Sequence, residues 1–308
     1  MDYIVQQTLN ALSFGAEYAL IALGLAIVFS IMNLVNFAHG EIIAFGAIMA
    51  LFFSSSPDSS LLYLDRFSPL GINFMTSVIL SILLCGIFGG LLELCLFKPL
   101  RKNNFGNIAV LVVTIGLSIF LRHVYLLFAS AKPTSYILEL QRREEYFGVQ
   151  LTPRNVQVLI IGFAVMVLVG IFLTYTRTGK AMRAVRDSTD LASISGINSD
   201  YIILVTWVFS SMLAGFTGII QGVINNVRWN MGFLILLLIF AGTVLGGIGT
   251  SFGAMFGGFI IGILVQLSVG LEFMDGHTEA KNAIALALMI IILLVRPQGI
   301  FGSKDRIS

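Results

Sequence analysis

Of 308 residues, 57% are hydrophobic and 11% charged, and mean hydropathy is +0.95, whereas a soluble domain carries about a quarter charged residues. A formal net charge of +2, with the basic residues scattered among loops, is too small to suggest a nucleic-acid partner. The apolar residues fall in blocks of roughly 17 to 25, the length of helix that crosses about 30 Å of hydrocarbon. Runs such as "VQVLIIGFAVMVLVGIFLTY" lack the alternation of barrel strands. The expected fold is all-α, a polytopic transmembrane helix bundle of about eight to nine spans forming one domain over residues 1–308.

The N-terminus, "MDYIVQQTLNALSFG", has neither a basic leader region nor a small-residue cleavage site, so the first span, near 8–31, is expected to stay in the product. "NLVNFAHGEIIAFGAI" follows, placing Asn36, His39 and Glu41 between two apolar runs. Polar groups there face other helices or water rather than lipid. Further spans are expected near 41–56, 72–97, 107–129 and 155–174. Cys85 and Cys95 sit ten apart in one of them, about 15 Å along a helix and too far to bridge each other. The stretches "PDSSLLYLDRFSPLG" and "SAKPTSYILELQRREEYFGVQLTPR" read as water-exposed loops.

"RTGKAMRAVRDSTDLASISGINSD" is too polar to span. A helix over about 178–192 would set Lys180, Arg183, Asp187 and Asp190 along one face and Met182, Val185, Thr189 and Ala192 along another. Such a helix lies on a membrane surface, held by anionic lipid, or docks on a partner. Gly196 and Asn198 are expected to end it. The remaining spans lie near 201–224, 231–247, 252–271 and 280–295. Arg228 and Trp229, before the seventh of the nine, suit an interfacial anchor or a docking point for a receptor. Gly253 to Gly257 and Gly258 to Gly262 are spaced for close helix approach. The break around Gly246, Gly247 and Gly249 suggests two helices meeting beside a passage.

Lys98, Arg101 and Lys102, then Arg177, Lys180, Arg183 and Arg186, then Arg296, Lys304 and Arg306 form the basic clusters. Nine spans counted from an outer N-terminus put all three inside. The loop with Arg142, Arg143 and Arg154 falls outside, against the rule, although Glu139, Glu144 and Glu145 share it.

No G-x-x-x-x-G-K-[ST], G-x-S-x-G, H-E-x-x-H or C-x-x-C occurs, and the three histidines lie in distant segments. An enzyme, a metal site and a bound cofactor are therefore not expected. Any energy for transport has to come from another chain.

Three passages in register, "YALIALGLAIVFSIMNLVNFAHGE", "TGKAMRAVRDSTDLASISGIN" and "VLGGIGTSFGAMFGGFIIG", with the closing "RPQGIFG", resemble the permease subunits of bacterial ABC importers for branched-chain amino acids. The likeness runs from about Leu9 to Gly302, and is to the shorter of two paired permeases. It implies a multi-pass protein of the inner membrane whose partners are a second permease, two cytoplasmic ATPase subunits and a periplasmic substrate-binding protein. It also implies that residues 177–198 are a coupling helix, with Gly179, Lys180, Arg183, Ala184, Arg186 and Gly196 toward the ATPase. Asn36, His39, Glu41, Gly246, Gly247 and Gly249 would then lie near the translocation pathway. Family members often carry a lysine about seven residues before "VLGGIG", where this chain has Leu238. Urea, short amides or sugars remain open as substrates, and an ion-coupled carrier using His39 and Glu41 is the alternative of another class.

Overall fold

The computed structural model describes residues 2–32, 36–55, 70–129, 131–138, 144–146, 149–247 and 250–269, with residues 283, 286–287, 289–291, 294 and 299–301 near the end. Eleven α-helices are described, α1 (Asp2–Met32), α2 (His39–Ser54), α3 (Phe74–Leu92), α4 (Lys98–Lys102), α5 (Asn107–Phe128), α6 (Pro153–Tyr175), α7 (Arg177–Asp187), α8 (Thr189–Ile194), α9 (Ser199–Ile224), α10 (Met231–Gly246) and α11 (Ser251–Val269). Among the described residues, six helical segments are long and apolar enough to cross a membrane, and α2 and α10 are shorter apolar helices of 16 residues. Eight of the nine expected spans thus coincide with helices. The ninth lies mostly outside the described residues, as do the loop near 57–71, the positions of Arg142 and Arg143, and the basic tail.

Two local features depart from the expected pattern. Residues 144–146 and 149–151, whose polar sequence predicts a loop, pair as an antiparallel hairpin of strands β1 and β2, with Glu144 opposite Leu151. Between α3 and α4 the helix widens into a π turn over Glu93–Phe97. Pro99 follows at the start of α4, with no N–H to give and a ring that clashes with the carbonyl four residues back. A wider turn just before it lets residues 74–102 continue as one helical rod.

The helices sort into two compact units. In the unit formed by residues 27–138 and 177–236, α2, α3 and α9 pack directly on one another. Small residues bring the backbones together: a Cβ on Gly46 would lie 2.6 Å from the Gly215 carbonyl oxygen, and one on Gly218 would strike the carbonyl of Ile43. In hydrocarbon, where there is no hydrophobic drive between helices, such close packing is the main source of cohesion. Around this contact Ala44, Ala47, Ile48, Leu121, Tyr125, Tyr136 and Ile219 form a buried cluster.

The other unit holds residues 1–26, 139–176 and 237–308. There Gly258 and Gly262 on α11 meet α1 at Tyr18, Ala22 and Phe14, while Gly257 meets Gly242 and Gly246 on α10. The glycine spacing read from the sequence therefore serves two faces of one helix. Large apolar side chains on α5 (Ile108, Val112, Phe120) and α6 (Ile160, Phe163, Leu168) stay exposed, as expected of spans bordered by lipid.

Candidate functional site

The polar segment after α6 folds as two helices rather than one. Ser188 breaks it, with φ −161° and ψ 114°, and its hydroxyl accepts a hydrogen bond from the Leu191 N–H at 3.2 Å. A serine capping the next helix outcompetes continuation of the first, because its oxygen satisfies an otherwise free N–H. On α7, Gly179, Met182 and Val185 are buried, whereas Lys180 and Arg183 are exposed. Ala184 is half-buried, and Arg186 pairs with Asp187 at 2.9 Å. The two faces hold as expected except at Thr189, which the break turns outward, while Leu191 and Ile194 stand 66% and 83% exposed.

Gly196 ends α8 at φ +83°, with its own N–H bonded to Ser193 and that of Ile197 to Ala192. This is the paired bonding of a glycine-terminated helix. Asn198 then caps α9 through the Tyr201 N–H at 3.0 Å, and Ser199 donates to the Thr189 carbonyl at 3.1 Å. One residue later, Asp200 reaches Lys98 at 3.1 Å and Arg101 at 3.8 Å. Arg101 also holds the buried carboxylate of Glu93 in the π turn at 2.6 Å, and Phe97 stacks on Trp207. The α7–α8 segment is thereby fastened through α9 to the end of the 74–102 rod.

The second polar site surrounds the start of α2. Asn36 Oδ1 accepts from the Ala38 N–H at 3.0 Å, shaping the turn into the helix. Glu41 is fully buried, and its Oε1 accepts from Ser118 at 3.0 Å and from Arg122 Nε at 3.2 Å, with Arg122 Nη2 paired by charge at 3.2 Å. Tyr125 donates to the Glu41 backbone carbonyl at 3.0 Å, and the Arg122 guanidinium lies 3.9 Å from the centre of the Phe233 ring. Gly40 makes room by packing against Gly232 at the start of α10. Among the described residues, Asn36 Nδ2, His39 Nε2 and Glu41 Oε2 are buried without a partner.

His39 and Glu41 do not form one site. Two residues on a helix are about 200° apart around its axis, and Glu41 spends its charge on Arg122. A joint proton site at these two residues therefore has no geometric basis here. The partners that the sequence reading missed, Ser118, Arg122 and Tyr125, recur at four- and three-residue spacing along one face of α5. The signal was available: an arginine well inside an apolar span needs a counter-charge.

The glycine break resolves into the end of α10 and the start of α11. A Cβ on Gly246 would strike the Gly253 carbonyl, and Gly247 adopts φ +107°. The N–H groups of Ile300 and Phe301 bond to the carbonyls of Leu245 and Gly246 at 2.7 and 3.2 Å, so part of the closing "RPQGIFG" satisfies the end of α10. Gly249 lies outside the described residues. Leu238, in place of the lysine, is 2% exposed in an apolar cluster with Tyr18, Ala241, Leu245, Ile261 and Val265.

Long apolar helices, an amphipathic element too polar to span and a broken glycine hairpin accord with the match of residues 7–293 to the family described as branched-chain amino acid transport system / permease component. The chain belongs to this family. The permease is 32% identical to the high-affinity branched-chain amino acid transport system permease protein LivH of Salmonella typhimurium, over 98% of this chain and 97% of that one. It is 31% identical to BraD of Pseudomonas aeruginosa with the same coverage. With LivM of Salmonella typhimurium it shares 27% identity over 55% of this chain and 42% of that one. The permease is accordingly a multi-span membrane subunit and not itself an ATPase.

Proposed function

We propose that this permease supplies half of a translocation pathway for branched-chain amino acids, completed by a second permease, driven by two cytoplasmic ATPase subunits and fed by a periplasmic binding protein. The near full-length likeness to LivH and BraD supports the substrate class, and the LivH and LivM names support a paired permease. On this reading α7 and α8 form the coupling element on the cytoplasmic face, and the region is a joint rather than a catalytic centre.

The observation that carries the reading is the two-sided construction of that segment. Met182, Val185 and Ala192 anchor it inward, while Lys180, Arg183, Leu191 and Ile194 are left outward. An exposed apolar pair rimmed by charges fits a protein cleft better than water. Asn36, His39, Glu41, Gly246, Gly247 and Gly249 are proposed to border the route without themselves driving it.

The test is Arg183→Glu in the assembled transporter. Reversing this charge is expected to cut amino-acid uptake at least about tenfold, the scale of losing one well-placed interfacial contact, with insertion and subunit assembly retained. Uptake and ATPase association both at the wild-type level would refute the coupling assignment.

A further inference from the structure

Arg122 lies six residues before the end of α5, about 9 Å along the helix, within an apolar span. A guanidinium at such a position faces protein or water, not hydrocarbon. Part of its need is met internally, since Nε donates to Glu41 and Nη2 to Ser118, 3.3 Å away, with Nη2 also 3.2 Å from the Glu41 carboxylate. None of the described residues takes a hydrogen bond from Nη1. The side chain keeps 15% of its surface exposed, whereas Glu41 keeps none. Beside it, Phe233 lies 44% exposed under the guanidinium.

These facts describe a cation whose plane is fixed from behind and whose remaining edge is open. Glu41 and Ser118 hold the fork in place, so little side-chain freedom is left to lose when an anion meets the free edge. Glu41 also cancels most of the positive charge. A solute would be attracted through hydrogen bonds and local dipoles rather than by a bare charge, and a route has to release what it binds.

We propose that Arg122 lines the translocation route and takes the carboxylate of an α-amino acid on its Nη1 edge, with Phe233 beside the solute's apolar side chain. This rests on the amino-acid reading above and adds to it a specificity-determining residue. Lysine at position 122 would keep a positive charge for Glu41 but, with a single nitrogen engaged there, would have no second nitrogen to hold out to a solute.

The experiment uses the assembled transporter in a Cys95→Ser background, because Cys95 is the exposed cysteine and Cys85 is buried. Phe233→Cys is treated with a charged, membrane-impermeant methanethiosulfonate, with and without leucine and its binding protein. Labelling that leucine slows is the expected result. Reaction only with an apolar maleimide would place the residue against lipid, and reaction with neither reagent would place it beneath the second permease; either result overturns the proposal. In parallel, Arg122→Lys is expected to raise the KM for leucine uptake about tenfold, the loss of the Nη1 donors, with kcat and assembly retained. Wild-type KM in that variant also overturns it. If the unmodified transporter fails to take up leucine, the amino-acid reading falls, and the labelling still decides whether Arg122 borders a water-filled route.

Discussion

Arg101→Met tests the joint that fastens the coupling segment to the 74–102 rod. Glu93 is 1% exposed and is held by Arg101 at 2.6 Å, while Arg101 itself is 31% exposed and also touches Met32 Sδ at 3.5 Å. Removing one partner of a fully buried ion pair costs about 3–5 kcal/mol, because the other charge is left in a low dielectric. Solvent reaches Arg101 and screens part of that attraction, so the expected loss is about 1–3 kcal/mol. Substituting methionine at Glu93 as well removes the stranded carboxylate. The double variant is expected to regain most of the loss, since two apolar groups of similar length desolvate at little cost. Unfolding midpoints of wild type, both single variants and the double in one detergent measure the cycle. A double variant no more stable than Arg101→Met would refute the reasoning, for it would mean that Arg101 acts through packing and not by neutralising Glu93.

Gly218→Ala drives a methyl into the carbonyl of Ile43, so α2 and α9 have to separate; a loss of about 1–3 kcal/mol is expected in the same unfolding assay. Ser188→Ala removes the cap on α8 and is expected to cost about 1 kcal/mol locally, seen as faster hydrogen exchange at residues 189–194. His39→Gln, at a buried side chain that does not share the Glu41 site, is expected to lower uptake less than about tenfold with normal assembly, the scale of one buried polar group; complete loss of uptake would restore a direct role.

Much of the architecture was legible because lipid imposes a simple rule on each segment separately. A span such as 155–174 announces itself by length and apolarity alone, and α6 covers Pro153–Tyr175. The polar segment after it was equally plain as an element, and its inward and outward faces followed from periodicity. Its interruption at Ser188 was not, because a serine three residues before a free N–H is compatible with either a continuous helix or a cap. The π turn before Pro99 was hidden for a related reason, since a one-residue widening leaves composition and length unchanged.

Asn36, His39 and Glu41 show the boundary most sharply. The sequence by itself determined that polar groups between two apolar helices must be turned away from lipid, and that an arginine inside α5 must find a counter-charge. Only the tertiary structure decided that the carboxylate at position 41 meets the guanidinium at position 122, with His39 left out of that pairing. The physical reason is that hydropathy fixes where a helix lies along the membrane normal and says nothing of its rotation about its own axis. That rotation is set by close contacts between backbones, here Gly40 on Gly232 and Gly46 on Gly215, and these depend on residues far apart in the chain.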